Sequence, residues 1–178
     1  MKNIILIGFM GSGKTSVGKE ISSITGMKLE DIDLSIVKGA KMEIKDIFSG
    51  YGEDHFRKLE TKAVKKVLSL TNRVISTGGG IVTVPGNLEI LKRGGTVVYL
   101  KNSFAVSSKR LAGRKDRPLF DRGNLKKTEL LFRKRLKLYE NAANITVVTD
   151  TKTVLQAAKE VIKKAGIKLE KNKVKTEK

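Results

Sequence analysis

The chain has 178 residues, which is enough for one compact domain with its own core. Hydrophobic residues make up 39% of it and charged residues 31%, a composition that excludes a disordered chain. There is no cysteine, which excludes disulfides and thiolate chemistry, and the net charge of +19 predicts anionic partners.

The N-terminal stretch MKNIILIGFM combines a lysine with a short apolar run, as a signal peptide does. It passes directly into GSGKTS, and a glycine-rich segment with a lysine makes a poor cleavage site. No segment approaches the roughly 20 apolar residues that a membrane helix needs. We therefore expect a soluble, cytoplasmic protein with no membrane partner.

Short apolar runs alternate with helical patterns along the chain. The runs predict buried strands at Asn3–Ile7, Arg73–Ser76, Thr96–Leu100 and Ile145–Val148, with a weaker candidate at Lys28–Asp31. The last helix is the clearest, with a capping box at Thr153 and Gln156 and a stop at Gly166. This alternation predicts an α/β fold with a parallel sheet and helices on both faces. We expect one domain over residues 1–166 and a basic, flexible tail over 167–178.

The segment GFMGSGKT, from Gly8 to Thr15, matches the phosphate-binding pattern G-x-x-x-x-G-K-[ST] in full. Its glycines let backbone N–H groups turn inward around phosphate oxygens, and the next helix directs its positive end at the same anion. Lys14 should reach the β- and γ-phosphates, and the Thr15 hydroxyl should bind Mg²⁺. The segment follows a buried strand and precedes a helix with Val17 and Ile21 on one side, as the motif requires. The sequence therefore predicts nucleotide binding.

Two carboxylates, Asp31 and Asp33, stand two residues apart at the end of a short predicted strand. Neighbouring parallel strands end on the same side of a sheet, so both acids should face the phosphate-binding loop. Asp31 would then lie near the metal and Asp33 near an acceptor hydroxyl. The alternative is a polar strand end in which an aspartate caps the next helix, and the spacing alone does not choose between them.

Arg57 and Glu60 are three residues apart on a predicted helix that begins at Gly52, so they share one face. The carboxylate could fix the guanidinium for a second anion, although spacing alone favours a routine surface ion pair. We assign no chemistry to His55, the one histidine of the chain. The triple glycine Gly78–Gly80 ends a strand and predicts close approach by a ligand, with a tight turn as the alternative.

The segment GRKDRPLFDRG, residues 113–123, has glycines at both ends, a proline and several arginines. Such a segment in a phosphate-binding protein predicts a mobile lid over anions, and the alternative is a basic surface loop.

Taken in order, these motifs resemble the shikimate kinase family over nearly the whole chain. The matching segments are GFMGSGKT, the Asp31-x-Asp33 pair, Ile47-Phe48, GExxFRxxE from Gly52 to Glu60, STGGG, RPL from Arg117 to Leu119 and RxxxY from Arg135 to Tyr139. The sequence departs from the family pattern at Val37, where glutamate is common, and at Lys41, near a frequent glycine.

The resemblance implies a three-layer P-loop NTPase fold, like that of nucleoside monophosphate kinases, with a five-stranded parallel sheet. It implies transfer of the γ-phosphate of ATP to the 3-hydroxyl of shikimate, with Mg²⁺ as cofactor. The expected partners are ATP and shikimate, with no specific nucleic acid, and a monomer is expected.

The resemblance also implies roles for individual residues. Those expected to bind ATP are Gly11, Ser12, Gly13, Lys14, Thr15, Ser16, Arg110 against the adenine and Arg117 from the lid. Those expected to bind shikimate are Asp33 on ring hydroxyls, Arg57 and Arg135 on the carboxylate, and Gly78, Gly79 and Gly80. Thr15 and, through water, Asp31 would organise Mg²⁺, and Glu60 would support Arg57. The catalytic residues would be Lys14, Asp33 and Arg117, with Asp33 either a general base or a positioning group.

Other P-loop proteins fit the sequence less well. A gluconate kinase would share the cradle but should lack the two arginines and the triple glycine. A nucleoside monophosphate kinase would need a larger base-binding region. The charge suits a nucleic-acid-binding protein, but 5% aromatic residues and no recognisable module argue against one. An inactive scaffold is disfavoured because every expected polar group is present.

Overall fold

A computed structural model describes residues 2–113, 119–121 and 123–168. The predicted tail begins at 167, so most of it lies outside these residues. The domain boundary and the flexibility of the tail therefore stay predictions. Within the described residues, no helix has both the length and the apolar character needed to cross a bilayer.

Five parallel strands form one sheet in the order β2-β3-β1-β4-β5. They are β1 Asn3–Ile7, β2 Lys28–Asp31, β3 Arg73–Ser76, β4 Gly95–Lys101 and β5 Ile145–Val148. All five strand predictions are confirmed, and β4 is one residue longer at each end than its apolar run. The added residues gain backbone pairing without adding apolar side chains, which is why the run did not include them.

The helices alternate with the strands along the chain, as the sequence pattern predicted. They are α1 Lys14–Thr25, α2 Ile32–Ala40, α3 Ile44–Leu68, α4 Asn87–Gly94, α5 Phe104–Leu111, α6 Leu125–Ala142 and α7 Val154–Lys164, with a 3₁₀ turn at Ile81–Thr83. The helix predicted to begin at Gly52 is the second half of α3. Gly52 itself has φ 79° and ψ 172°, so α3 bends there.

The two faces of the sheet carry separate cores, because side chains alternate along each strand. In β1, Ile4 and Leu6 face one core, whose helical side chains come mainly from α1 and α7. Ile5 and Ile7 face the other core, whose helical side chains come from α2, α3, α4, α5 and α6. This arrangement confirms the predicted α/β fold, a parallel sheet with helices on both faces.

The predicted ends of α7 are present. The Thr153 hydroxyl accepts a bond from Gln156 N at 3.2 Å, and the Gln156 side chain accepts one from Thr153 N at 2.9 Å. Gly166 has φ 65°, a left-handed conformation suited to glycine after a helix end.

Candidate active site

The polar groups of the site converge at the carboxyl ends of three adjacent strands. The phosphate-binding loop follows β1, Asp31 ends β2, and Ser76 ends β3. In the sheet register Asp31 pairs with Ser76, and Leu6 of β1 also pairs with Ser76. The strand order therefore brings together groups that are far apart in the sequence.

The loop between β1 and α1 has the backbone that the glycine pattern requires. Gly11 and Gly13 have φ 81° and 94°, in the region that favours glycine. A Cβ on Gly8 would lie 2.8 Å from Leu100 O, so the loop also fits tightly against β4. Ser12 is buried within the turn, and Ser16 lines the cavity beside it.

Lys14 is buried at the start of α1, and its ammonium group lies within the loop. Its Nζ donates to Gly8 O at 2.8 Å and to Phe9 O at 3.0 Å. These bonds hold the loop closed around the cation. The ammonium group and the N-terminus of α1 therefore place positive charge at one cavity of about 250 Å³.

Thr15, Asp31 and Ser76 form a compact group of oxygen atoms at the edge of this cavity. Thr15 Oγ1 donates to Asp31 Oδ2 at 2.8 Å and lies 3.2 Å from Ser76 Oγ. Asp31 Oδ1 accepts a bond from Leu34 N at 3.3 Å. Asp31 therefore caps α2 with one oxygen and faces Thr15 with the other, so both sequence alternatives apply. Ser76 was not predicted as a site residue, although its place before the triple glycine could have indicated it.

These oxygen atoms fit a hard cation. Mg²⁺ prefers oxygen ligands and is usually held by one or two protein groups together with water and substrate phosphates. Among the described residues there is no cluster of three or more His, Asp or Glu side chains that could enclose a metal by itself. A hydroxyl and a carboxylate beside a phosphate cradle match this minimal arrangement.

Arg110 lies at the rim of the same cavity. Its Nη1 donates to Gly11 O at 3.3 Å and its Nη2 to Thr149 O at 3.1 Å. The guanidinium thus joins the phosphate-binding loop to the segment after β5. This location agrees with a position next to a bound nucleotide.

Arg57 is held between two carboxylates. Its Nη1 donates to Glu60 Oε2 at 2.8 Å, while its Nε and Nη2 donate to Glu53 Oε1 at 3.2 and 2.7 Å. The Arg57 side chain is 11% exposed, Glu60 is fully buried and Glu53 is 46% exposed. The pair of Arg57 and Glu60 is therefore a buried one, not the routine surface pair that spacing alone favoured.

Burial raises the pKa of Glu60 above its ordinary value. The positive charge of Arg57 opposes this rise, and the nearby Asp33 carboxylate adds to it. Glu60 Oε1 accepts no hydrogen bond within the described part of the chain. A buried carboxylate with one unsatisfied oxygen is costly, which suggests that Glu60 serves the site more than the stability of the fold.

The triple glycine lets several parts of the site approach one short segment. A Cβ on Gly78 would overlap the Glu60 carboxylate and lie 3.1 Å from Asp33 Oδ1. A Cβ on Gly80 would overlap the Arg57 guanidinium. The close approach predicted from the sequence is thus made, at these two positions, by side chains of the protein itself.

Arg135 and Tyr139 reach the same segment from α6. Arg135 Nη1 donates to Gly79 O at 3.3 Å, and the Tyr139 hydroxyl donates to the same carbonyl. Both side chains are buried, and burial raises the pKa of Tyr139, so its hydroxyl stays a donor. Arg135 Nε is buried without a hydrogen-bond partner among the described residues.

A second, smaller pocket adjoins the cradle. Arg57, Glu60 and Arg135 line it, together with the glycines of the triple-glycine segment. Asp33 lines both pockets, and so do Met10 and Gly79. The Asp33 carboxylate therefore lies at the boundary between the phosphate cradle and the arginine pocket.

The predicted lid is described only in part. Arg117 lies outside the described residues, so its role stays a prediction from the resemblance. Phe120 is buried in the core, and Asp121 N donates to Thr128 Oγ1 at 3.1 Å. The end of the predicted lid is thus attached to α6, and Leu119 lines the arginine pocket. His55 is exposed and stacks on Tyr51, away from both pockets.

Comparison with known proteins gives one consistent result. The family model for shikimate kinase matches residues 10–166. The chain belongs to the shikimate kinase family. A shikimate kinase from Sulfurihydrogenibium sp. is 41% identical over 164 residues, which cover 92% of this chain and 98% of that protein. One from Persephonella marina is 40% identical, with 91% and 98% covered.

A solved structure agrees with this assignment. The shikimate kinase from Acinetobacter baumannii, in complex with shikimate, is 34% identical and superposes with a TM-score of 0.88. The match covers 92% of both chains. The family, the P-loop kinase fold and the class of ATP-dependent kinase predicted from the motifs are confirmed.

Proposed function

We propose that the chain transfers the γ-phosphate of ATP to the 3-hydroxyl of shikimate, giving shikimate 3-phosphate and ADP. The observation that carries the proposal is the pair of adjoining pockets that share Asp33. One pocket has a phosphate-binding loop and the other has two arginines suited to a carboxylate. A carboxylated polyol placed in the second pocket would present its hydroxyls toward the first.

The cradle supplies binding and charge for the nucleotide. Gly11, Gly13 and the N-terminus of α1 offer backbone N–H groups, and Lys14 offers a cation for the β- and γ-phosphates. Thr15 and Asp31 would hold Mg²⁺, with Asp31 acting through water. The metal would neutralise charge on the phosphate oxygens during transfer.

The second pocket supplies recognition of the acceptor. Arg57 and Arg135 would bind its carboxylate, and the unpartnered Nε of Arg135 supports this role. Glu60 would keep Arg57 in place from the buried side. A buried cation without its ligand is unfavourable, so the pocket should discriminate strongly against acceptors that lack a carboxylate.

Asp33 has two possible roles, and a substitution separates them. Phosphoryl transfer passes through a loose transition state that needs little proton removal before bond formation. In Asp33→Asn the side chain can still position a hydroxyl but cannot accept its proton. We expect turnover to fall by about 10²-fold or more if Asp33 is a general base. Near wild-type turnover would identify it as a positioning group.

The test of the proposal is ADP release measured with several acceptors. Release should require shikimate and should stay low with gluconate, quinate or nucleoside monophosphates, and chelation of Mg²⁺ should abolish it. Lys14→Ala, as the control, should reduce turnover by about 10²–10³-fold or more, since a charge contact to the transferring phosphate is lost. ADP release that does not depend on shikimate would refute the assignment.

We further propose that the chain acts as a monomer, because residues of one chain line both pockets. We also propose that it acts in the cytoplasm, since a chain without cysteine suits a reducing compartment. Light scattering of the active protein tests the monomer. Nucleic acid is not an expected partner, and filter binding at physiological salt tests that.

A further inference from the structure

Arg57 is one of the two arginines proposed to bind the carboxylate of the acceptor, and two carboxylates of the protein itself already contact it. A guanidinium presents its Nε–Nη2 edge as two parallel donors, the geometry that a carboxylate matches. In this structure Glu53 Oε1 accepts from both donors of that edge, at 3.2 and 2.7 Å. The edge best suited to a carboxylate ligand is therefore occupied by a side chain of the protein.

Glu53 differs from Glu60, the other carboxylate on Arg57. The Glu60 side chain is fully buried and packs against Gly78, so it has no path into solvent. Glu53 is 46% exposed, directly follows the bend at Gly52, and lines a wide outer groove that does not include Glu60. Glu53 can thus move into solvent, and within the described part of the chain its side chain accepts hydrogen bonds from Arg57 alone.

Two carboxylates on one guanidinium also oppose a third. A negative charge at a binding site lowers the affinity of the site for an anion. The affinity falls further if a side chain of the protein must first leave the position where the anion binds. Glu53 and the carboxylate of the acceptor cannot both hold the same edge of Arg57.

We propose that Glu53 is an internal competitor that occupies the carboxylate-binding edge of Arg57 and weakens the binding of the acceptor. The proposal rests on the proposed function, because it takes the acceptor carboxylate to bind Arg57. It gives Glu53 a role opposite to that of Glu60, which holds Arg57 in place for the ligand.

The test is calorimetric titration of the full chain with shikimate. Glu53→Gln removes the charge but keeps the shape, and it should lower the dissociation constant about three- to tenfold, as expected if Glu53 occupies the edge for roughly 70–90% of the time. Glu53→Asp keeps the charge but is one methylene shorter, and it should also tighten binding. The Michaelis constant for ATP should not change in either variant.

Glu129 provides a matched control on α6. Its Oε1 accepts from Arg133 Nε at 3.1 Å and from Arg133 Nη2 at 2.7 Å, the same four-residue geometry, but Arg133 is 70% exposed. Glu129→Gln should leave shikimate binding unchanged.

Other results would overturn the proposal. Equal or weaker shikimate binding in Glu53→Gln would show that Glu53 merely orients Arg57. If Glu53→Asp bound shikimate with wild-type affinity, any effect of Glu53 would come from its charge in general and not from competition for the edge of Arg57. A wild-type chain that does not bind shikimate at all would refute the proposed function and the competition together, which distinguishes that failure from the other two.

Discussion

At two of the three glycines after β3, glycine is needed because a side chain would have no room, not because the backbone is strained. Gly80 has φ −102°, which any residue can adopt, yet a Cβ there would overlap the guanidinium of Arg57. At Gly78 a Cβ would overlap the Glu60 carboxylate in the same way. A methyl group at either position must push a charged side chain out of its buried location, so each glycine acts through the residue it accommodates.

Gly80→Ala should therefore impair acceptor binding while leaving nucleotide binding intact. Displacing Arg57 should raise the Michaelis constant for shikimate about tenfold or more, since overpacking costs about 1–3 kcal/mol. Gly39→Ala is the control, because a Cβ on Gly39 meets nothing within 4 Å. Steady-state kinetics with each substrate varied would test this, and an equal rise in both Michaelis constants would contradict it.

Glu60→Gln should make stability depend less on pH. The pKa of Glu60 is raised above 4.5, so its proton stabilises the folded state at low pH, and this stabilisation is lost as pH rises through the raised value. Glutamine is always neutral and avoids that loss. The free energy of unfolding of the variant, relative to wild type, should thus increase between pH 4.5 and neutral pH.

Urea denaturation at several pH values measures this difference. The same variant should bind shikimate more weakly, because an amide holds Arg57 less firmly than a carboxylate does. Parallel stability curves for the two proteins would contradict the raised pKa.

At the scale of an element, α3 bends at Gly52, where the backbone leaves helical dihedral angles. The half of the helix after this bend carries Glu53 and also Arg57 and Glu60, which line the arginine pocket. With φ 79° and ψ 172°, Gly52 adopts a backbone conformation that is essentially restricted to glycine.

Two glycines of α3 should respond to alanine in opposite ways. Gly52→Ala should destabilise the fold by about 1–3 kcal/mol, because φ 79° with ψ 172° is a combination that strains alanine. Gly50→Ala should stabilise it by about 0.5–1 kcal/mol, since Gly50 is helical and a Cβ there meets nothing within 4 Å. Thermal unfolding of the two variants gives the comparison. Stabilisation by both would mean that the bend does not depend on glycine.

The elements were easier to predict from the sequence than their contacts. Apolar runs identified four of the five strands, most clearly β1, which is buried on both faces and leaves a continuous signal. The edge strand β2 has the sequence KLED and is partly exposed, so it was only a weaker candidate. The burial of Glu60 was missed, although at helical spacing Glu60 lies on the same face of α3 as Phe56, Val64 and Val67. The contact of Arg135 and Tyr139 with Gly79 O spans 56 and 60 residues, and no local pattern encodes it.

At the scale of the whole molecule, positive charge has opposite effects on stability and on binding. The chain has 37 Lys and Arg residues against 18 Asp and Glu residues. Excess charge of one sign repels itself in a compact fold, while it attracts anionic substrates from solution.

Sodium chloride should therefore raise stability and weaken substrate binding. Going from about 0.01 M to about 0.1 M reduces the Debye length from about 30 Å to about 10 Å. We expect the free energy of unfolding and the Michaelis constants for ATP and shikimate all to increase, as measured by denaturation and initial rates. Sulfate is unsuitable because it would bind at the phosphate-binding loop. Michaelis constants for ATP and shikimate that do not change with salt would contradict substrate attraction.

The central position of β1 has a consequence for synthesis on the ribosome. Ile4 pairs with Val74 of β3 on one side and with Thr96 of β4 on the other. At about 5–20 residues per second, the roughly 70 residues that separate Ile4 from Val74 take about 4–14 s to translate. The strand that leads into the phosphate-binding loop therefore emerges first and waits longest for its neighbours. During that interval the nascent chain exposes an apolar segment, which makes it a substrate for chaperones and proteases until β3 and β4 have left the exit tunnel.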